Sequence, residues 1–343
     1  MKLLFITQKV DKNDSILGTY HQWIEEFSKH CESVTVICLY KGEHNLPNNV
    51  KVLSLGKEQK ESRFQYLRNF YKYIWQERKN YDNVFVHMNQ EYVLLAGLCW
   101  RLAGKKVFLW RNHRQGNLLT SIAVFISNGV FYTSPESYTA RFKKSKIMPV
   151  GTNMEKFVQV SQVNRTPRSI LSMGRISPIK NIEVFIKALV ILEEKGVDFV
   201  STIVGGPDEG QETYYENILK EGAPLVEKGR LVFKNYVAND KTPEMYFSHE
   251  FFVNLTSNGS MDKTTFSAMA SGTLPIVSNT YFEDVLPKGF IFRQGDEKDL
   301  ALKIESILEM SSDEKREMSI KLKQYVNDNH SLKAVVKKVL AQF

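Results

Sequence analysis

The feature that most constrains the fold of this chain is an alternation of short apolar runs with longer amphipathic stretches, which occurs twice along the sequence. Short runs rich in β-branched and aromatic residues are typical of strands, whereas apolar residues three or four positions apart are typical of helices. In the first series the predicted strands cover residues 3–7, 34–39, 50–55, 83–87, 107–110 and 130–133, and the predicted helices cover residues 20–30, 63–79 and 91–103. Strands separated by helices favour parallel sheets with right-handed crossovers.

A second series of the same kind begins at residue 168, with strands predicted at 170–173, 199–204, 231–233, 251–255, 274–277 and 290–292 and a helix at 182–194. The predicted fold class is therefore α/β, with two Rossmann-like, doubly wound domains and an inter-domain cleft. We predict an N-terminal domain over 1–157, a polar linker over 158–167 and a C-terminal domain over 168–325. Residues 326–343 are predicted to form a helix that packs back on the N-terminal domain.

Composition places the chain among ordinary globular proteins. A length of 343 residues suits about two domains of roughly 150 residues each, and 43% of the residues are hydrophobic and 24% charged. Three cysteines are too few for a disulfide framework. The apolar run at the N-terminus is too short for a signal peptide, and no run reaches the roughly 18 apolar residues that span a bilayer. These features indicate a cytoplasmic protein.

The positive charge is concentrated in the N-terminal half. Residues 1–160 hold 23 Lys and Arg against 13 Asp and Glu, whereas the remainder is slightly acidic, for a total of +8. Such asymmetry indicates an anionic partner, either a membrane surface or nucleic acid. Nucleic acid is the less favoured partner, because no recognition motif accompanies the charge.

Residues 57–79 interleave seven basic residues with aromatic and aliphatic ones. One interpretation is an amphipathic helix whose apolar side packs on the sheet. The other is a basic, aromatic helix at the inner face of an anionic membrane, helped by the basic cluster at 141–146. Both interpretations remain open from the sequence.

The strongest motif lies between a predicted strand and a predicted helix, and includes Gly174, Arg175 and Lys180. One interpretation is a plain strand-to-helix turn with a solvated lysine. The other is a diphosphate clamp, in which Arg offers a planar fork and Lys a point charge. The helix that follows adds partial positive charge at its N-terminus. Both cations could also neutralise a departing diphosphate.

This motif resembles the diphosphate clamp of glycosyltransferase family 4, and other segments resemble that family in the same order. The Pro-Val-Gly-Thr-Asn run at 149–153, with Phe157, resembles the hinge of that family. The run at 203–207 resembles the Val-Gly-x-Gly end of one of its strands, and the run at 268–277 resembles its Ala-Met-Ala-x-Gly-x-Pro segment. The resemblance implies a GT-B fold, a nucleotide-diphosphate sugar as donor substrate, and no cofactor.

Further site residues follow from the resemblance. In the N-terminal domain it implies that Gly18 lies near the phosphates and that His113 lies near the donor sugar, although the family's glycine-rich loop is reduced here to one glycine. A structural or solvated His113 is the alternative, and His87 is predicted to be structural.

The chain departs from the family where two glutamates, eight positions apart, are expected to bind the donor. Those positions hold Gly259 and Ser267. Asp262 and Lys263 are candidates to contact the sugar and phosphate instead, and Ser267 to bind the ribose. The alternative is that they flank a helix N-terminus capped by Thr264 or Thr265. Losing a charged hydrogen bond costs about 1.5–3 kcal/mol, which weakens donor binding roughly 10- to 100-fold.

The predicted function is transfer of a sugar from a nucleotide-diphosphate donor to a hydroxyl of a glycan or lipid-linked acceptor in cell-envelope polysaccharide or glycolipid synthesis. The resemblance implies retention of configuration and no metal, and the chain has no Asp-x-Asp. A nicotinamide enzyme, a P-loop enzyme and a zinc hydrolase are excluded, because their motifs are absent. Two alternatives stay open: a sugar-nucleotide epimerase, and a degenerate glycosyltransferase that acts as a non-catalytic binding or scaffold subunit.

Overall fold

The computed structural model describes residues 1–14, 17–158, 164–239, 241–258 and 261–343. The strands are β1 (Lys2–Val10), β2 (Ser33–Lys41), β3 (Val50–Ser54), β4 (Asn83–His87), β5 (Lys106–Trp110), β6 (Gly129–Tyr132), β7 (Ser145–Ile147), β8 (Thr166–Met173), β9 (Val200–Val204), β10 (Leu231–Lys234), β11 (His249–Asn254) and β12 (Leu274–Val277). The helices are α1 (Thr19–Ser28), α2 (Arg63–Gln76), α3 (Glu91–Leu102), α4 (Leu118–Ile126), α5 (Glu155–Val158), α6 (Ile182–Glu194), α7 (Glu212–Glu227), α8 (Thr242–Phe247), α9 (Lys263–Ser271), α10 (Glu297–Leu308), α11 (Ser312–His330) and α12 (Leu332–Leu340).

The chain forms two compact units. The first comprises Met1–Gly151 together with Leu332–Phe343, and the second comprises Thr152–Ser331. The change from the first unit to the second falls inside the segment 149–153 that resembles the family's hinge. Part of the predicted linker, residues 159–163, lies outside the described residues.

The first unit is built on a parallel sheet whose described strands follow the order β3-β2-β1-β4-β5-β6-β7. Successive residues of β1 enter opposite faces of this sheet, as the strand period of two requires. Leu3 and Phe5 pack with α1 and with α12, whereas Leu4 and Ile6 pack under α2, α3 and α4. Because both faces are covered, the strands are apolar on both sides, which is typical of parallel sheets.

The second unit repeats this plan with a smaller parallel sheet, in which the described strands follow the order β10-β9-β8-β11-β12. In both sheets the first strand of the unit is central, and the chain moves outward first to one side and then to the other. The strand order therefore reverses between β1 and β4 and again between β8 and β11. Crevices at such reversal points are where doubly wound sheets bind ligands. The predicted α/β class with two doubly wound domains is confirmed.

One predicted strand is wrong. Residues 290–292 do not extend the second sheet, because Lys288–Phe290 forms a turn of 3-10 helix and only Ile291 forms a bridge, to Val277. Pro287 and Gly289 turn the chain immediately before the apolar residues, so too few remain to form a ladder. The sequence pattern also left out β7, which overlaps the basic cluster at 141–146, and helix α7, which continues through Pro224.

Candidate functional site

The strand-order reversal of the second unit brings two loops together at the carboxyl edge of its sheet. One follows β8 and carries Gly174 and Arg175, and the other follows β11 and carries Thr256. With Lys180 these residues line one small cavity. The lining therefore includes both cations that the sequence assigned to a diphosphate clamp.

A glycine holds the first of these loops in place. Gly205 follows β9 with a φ of +150°, and a Cβ atom there would lie 1.8 Å from the carbonyl oxygen of Gly174. The close approach is fixed by backbone hydrogen bonds from Gly174 N to Val204 O (3.0 Å) and from Ile176 N to Gly206 O (2.8 Å). Only glycine permits two loops to approach this closely, which explains the Val-Gly-x-Gly-like run at the end of β9.

Arg175 lies on the exposed rim of the cavity. Its Nη1 donates to Asp208 Oδ1 at 3.1 Å, and the arginine side chain is 53% exposed. An ion pair this exposed contributes little to stability, since water screens both charges. The guanidinium can therefore exchange Asp208 for another anion at small cost.

Lys180 is held more tightly. Its ammonium forms an ion pair with Asp262 and donates to Thr256 Oγ1 at 3.0 Å. The lysine side chain is 22% exposed and the aspartate side chain 11%. The lysine therefore faces a carboxylate at this edge of the sheet.

Asp262 is the centre of a polar network. Its Oδ2 accepts from Thr256 Oγ1 (2.8 Å) and Asn254 Nδ2 (3.1 Å), and its Oδ1 accepts from the backbone N and hydroxyl of Thr264 (3.1 and 2.8 Å). Burial acts to raise the pKa of this carboxyl, but the charge of Lys180 and the hydrogen bonds outweigh it and hold the pKa well below its usual range. The group is therefore an anion at neutral pH.

The same contacts correct the expected helix cap. Asp262, rather than Thr264 or Thr265, is the N-cap of α9. Its carboxylate fits this position because it satisfies a free N–H of the first turn and faces the positive end of the helix. Asp262 thus has a structural role in addition to the sugar contact predicted for it.

The other predicted donor ligands of this unit lie along α9. Lys263 is exposed at its first residue, and Ser267 is half-buried one turn later. The Ser267 side chain hydrogen-bonds the hydroxyl of Tyr246, whose pKa is raised well above its usual range by burial and then by the charge of Asp262. Gly259, the other position at which the family has glutamate, lies outside the described residues.

The first unit has a larger cavity at the carboxyl edge of its own sheet. This cavity has a volume of about 820 Å³ and is lined by residues that follow β4 and β5, including Gln90, Arg111 and His113. Gln90 is 8% exposed, and its Oε1 is buried without a hydrogen-bond partner among the described residues. Most of the side chains that line this cavity are polar, which suits a polar ligand.

His113 is exposed in the loop after β5. Its Nδ1 accepts from the backbone N of Gln115 at 3.1 Å, and the half-buried Arg111 donates to the carbonyls of both residues. This loop is therefore braced by its own side chains. His113 lines the cavity as a surface residue rather than a buried one.

Local packing explains why residue 18 is a glycine and why residue 87 is a buried histidine. A Cβ at Gly18 would lie 2.4 Å from the carbonyl oxygen of Asp14, so the loop after β1 requires glycine there. His87 is fully buried at the end of β4, contacts Thr7 Oγ1 at 3.3 Å and packs on the ring of Tyr20. This burial and packing favour the structural interpretation of His87.

Several polar residues of these sites were not predicted to take part in them, although Thr264 was named as a possible helix cap. They are Asn254, Thr256 and Thr264 around Asp262, Asp208 beside Arg175, and Gln90 and Arg111 in the first cavity. Asn254 is the last residue of β11, and Thr256 and Gln90 follow β11 and β4 within three residues. Both strands border a reversal of the strand order, and this position could have marked the three residues as site candidates.

Two doubly wound parallel sheets in these orders are the architecture of the GT-B fold, and each has a cavity at its carboxyl edge. Residues 153–325 match the family model of glycosyl transferases group 1. Because this match covers half of the chain, the chain belongs to that family. The predicted resemblance is thereby confirmed for the family, and the finer assignment to family 4 stays a prediction.

Among curated proteins, the chain is similar to the mannosylfructose-phosphate synthase of Agrobacterium fabrum, with 28% identity over 155 residues, or 42% of this chain and 34% of that protein. It is also 24% identical over 180 residues to the putative glycosyltransferase YtcC of Bacillus subtilis, covering 48% of this chain and 43% of that protein. The alignments thus span less than half the length of these relatives.

Among solved structures, the chain is similar to Anabaena Alr3699/HepE in complex with UDP, with a TM-score of 0.76, 15% identity and 99% of both chains covered. Another structure of that protein holds UDP-glucose. A likeness at this identity shows the shared fold.

Proposed function

We propose that this protein transfers a sugar from a nucleotide-diphosphate donor to a hydroxyl group of a glycan or lipid-linked acceptor. The observation that carries the proposal is that Arg175 and Lys180 line one cavity at the strand-order reversal of the second unit. Family membership and the UDP-bound relative of the same fold support a nucleotide diphosphate as the occupant.

In this proposal the two cations bind the diphosphate and stabilise it as it leaves. The bond between the anomeric carbon and the phosphate oxygen breaks, and the negative charge that develops on the diphosphate is neutralised by Arg175 and Lys180. The acceptor hydroxyl attacks the anomeric carbon from the same face and gives its proton to the leaving phosphate, so that configuration is retained. The proposal needs no metal, and we expect transfer to continue in EDTA.

The remaining site residues take supporting roles. Asp262 and Lys263 lie at the start of α9, where they are proposed to contact the donor sugar and phosphate, and Ser267 is proposed to bind the ribose. In the first unit, His113 and Gly18 are proposed to lie on the sugar side. The cavity lined by Gln90, Arg111 and His113 is proposed to receive the acceptor.

The clamp is tested by calorimetry with UDP, GDP and ADP. Arg175→Ala and Lys180→Ala are each expected to weaken diphosphate binding about tenfold or more, since each removes a charge-assisted contact. Lys195→Ala is a matched control, because Lys195 pairs with Glu305 beyond the other end of α6. Arg230→Gln, at the amino edge of the sheet, is the second control. Unchanged affinity in both clamp variants would refute the assignment.

The missing glutamates are tested separately. Ser267→Glu restores the carboxylate that the family places at this position, and we expect nucleotide affinity to stay the same or increase. A clear loss of UDP affinity, with the unfolding midpoint unchanged, would contradict the proposal that a carboxylate at this position binds the ribose.

A non-catalytic binding or scaffold subunit is the second candidate. It is favoured by the ion pairs that already engage both clamp cations, with Asp208 and Asp262. Binding of no nucleotide sugar in a calorimetric panel would support this candidate. Conversion of the donor sugar with no acceptor present would instead indicate an epimerase.

The proposed place of action is the inner face of the membrane in cell-envelope polysaccharide or glycolipid synthesis. No described helix is both long and apolar enough to cross a bilayer. The excess of basic residues in the N-terminal half supports a peripheral association with anionic lipid.

A further inference from the structure

The exposed apolar side chains of this protein are concentrated on three helices of the first unit. Of the 22 large apolar side chains that are exposed in the described part of the chain, eleven lie on α2, α3 and α4. These helices hold only about a tenth of the residues. Apolar residues scattered singly over a surface are ordinary, whereas a cluster of this kind indicates a binding surface.

On each helix the exposed apolar residues form a stripe opposite the buried side. They are Phe64, Leu67, Tyr71 and Trp75 on α2, Leu95, Leu98 and Leu102 on α3, and Leu118, Leu119, Ile122 and Phe125 on α4. The spacing of three or four residues places each set on one side of its helix. The opposite sides supply buried residues such as Phe70, Trp100 and Val124 to the core under the sheet.

The three stripes belong to neighbouring helices. The Tyr71 hydroxyl on α2 donates to Leu95 O on α3 at 3.0 Å, and Arg101 on α3 donates to Ile126 O on α4 at 3.3 Å. Gly97 allows the second approach, because a Cβ there would lie 2.5 Å from Cγ2 of Ile126. We call this surface, made of the eleven exposed side chains, the three-helix face.

Basic side chains border the three-helix face at the C-terminal ends of its helices. Arg78 lies 4.3 Å from the ring centroid of Trp75, and Lys144 donates to Phe125 O at 3.0 Å. Arg101 lies in the last turn of α3, and Lys105 follows that helix. The helices themselves carry Arg63, Arg68, Lys72 and Arg101 against the single acid Glu91.

We propose that the three-helix face docks on an anionic lipid bilayer. Exposed Trp, Phe and Leu side chains enter the boundary between headgroups and acyl chains, while the basic border attracts the anionic headgroups. A protein partner of mixed charge is less well matched, because the charges on and around this surface are almost all positive. The choice of bilayer over protein therefore follows from the charges around the apolar side chains.

The position of the face also suits a lipid-linked acceptor. Leu118 and Leu119 directly follow Asn117, which lines the cavity of the first unit. An acceptor anchored in the bilayer would reach that cavity from the edge of the face. This link to the acceptor rests on the proposed function, whereas the docking deepens only its membrane location and is independent of the proposed sugar transfer.

Tryptophan fluorescence gives a direct test on the unmodified protein. The side chain of Trp75 is 68% exposed, whereas Trp23, Trp100 and Trp110 are at most 3% exposed. Lipids brominated on their acyl chains, in vesicles of phosphatidylcholine and phosphatidylglycerol, should therefore quench Trp75 selectively. We expect quenching that disappears in Trp75→Phe and that is weak with phosphatidylcholine alone. No quenching on anionic vesicles at moderate salt would overturn the proposal.

Co-sedimentation with the same vesicles tests the surface as a whole. Replacing Trp75, Leu102 and Phe125 together by Gln should weaken vesicle binding by about tenfold or more, because each loses apolar area that enters the bilayer. The matched control replaces Val232, Leu302 and Ile320 of the second unit, which are 48–60% exposed, by Gln. Equal vesicle binding by both triple variants would overturn the proposal.

Light scattering separates the bilayer from a second copy of the chain as the occupant. A wild-type dimer that becomes monomeric in the face variant, with no vesicle binding by either, would assign the face to self-association and overturn the proposal. UDP affinity measured on the same variants keeps this result apart from the proposed function, since the clamp lies in the second unit. Normal UDP binding with lost vesicle binding is the expected combination.

Discussion

The Lys180 ammonium and the Asp262 carboxylate form an ion pair at the carboxyl edge of the second sheet, although 82 positions separate them in the sequence. The carboxylate also caps α9 and accepts hydrogen bonds from Thr256 and Asn254. One residue of the proposed phosphate clamp is thus paired with the residue that caps α9. The ion pair therefore links the stability of the carboxyl edge of the second sheet to the proposed binding of a diphosphate there.

Replacing Asp262 by Asn is expected to lower the free energy of unfolding by about 1–3 kcal/mol, because Lys180 loses its partner in a largely buried place. Asn is as good an N-cap as Asp, so α9 should still begin at the same residue. The loss of unfolding free energy then measures the contribution of the Asp262 charge. The four tryptophans all lie in the first unit, so urea unfolding is best followed by circular dichroism. A cycle with Lys180→Met should show coupling between the two sites. Additive effects would contradict the pairing.

The same pair predicts how stability responds to acid. The pKa of Asp262 is held below its ordinary value of 3.8 in the folded protein. A carboxyl with a depressed pKa contributes stability that is fully present above its unfolded value and is lost as the pH falls further. The difference in unfolding free energy between wild type and Asp262→Asn should be constant from about pH 5 to 7 and shrink below about pH 4. A difference that grows on acidification would refute the prediction.

Gly205→Ala is expected to destabilise the second unit by about 2 kcal/mol or more, since the new Cβ would collide with the carbonyl of Gly174 and the backbone has a positive φ. Gly196→Ala is the control, because Gly196 has a φ of +72° and no atom near its Cβ position. The Gly196→Ala variant should lose only about 1 kcal/mol of unfolding free energy, because alanine is strained at a positive φ but its Cβ meets no other atom. Equal losses in urea unfolding would show that the two loops do not approach as described.

Asp208→Asn is expected to strengthen binding of a nucleotide diphosphate severalfold, because it removes the anion that now pairs with Arg175. The protein itself should lose little stability, since the pair is exposed. Asp198→Asn, which removes the partner of Arg230 at the other edge of the sheet, should leave affinity unchanged. Calorimetry with UDP measures both. Weaker binding in Asp208→Asn would mean that Asp208, and not the freed Arg175, supports the ligand.

Much of the fold could be predicted from periodicity. The bounds of β4, α6 and β12 agree with the predicted elements, because these segments are strongly apolar and bounded by turn residues. The prediction failed at 290–292, where three apolar residues resemble a strand but a turn leaves a single bridge. Helix α7 escaped prediction because its sequence is largely polar and contains Pro224, a residue that disfavours a helix interior.

The basic, aromatic stretch at 57–79 combines a buried side with an exposed one. Phe70 packs in the core, as an amphipathic helix on the sheet requires, whereas Phe64 and Trp75 on the same helix are 77% and 68% exposed. The sequence alone could not show that α3 and α4 extend the exposed stripe. That depends on which helices become neighbours.

The sequence by itself determined the α/β class, the doubling of the domain plan and the cations at the end of a strand, because each is written in local patterns of a few residues. Only the tertiary structure decided that Arg175 faces Asp208, that Lys180 faces Asp262, and that three apolar stripes lie side by side. Those relationships join residues far apart in the chain, and they depend on strand order and burial, which local periodicity does not specify.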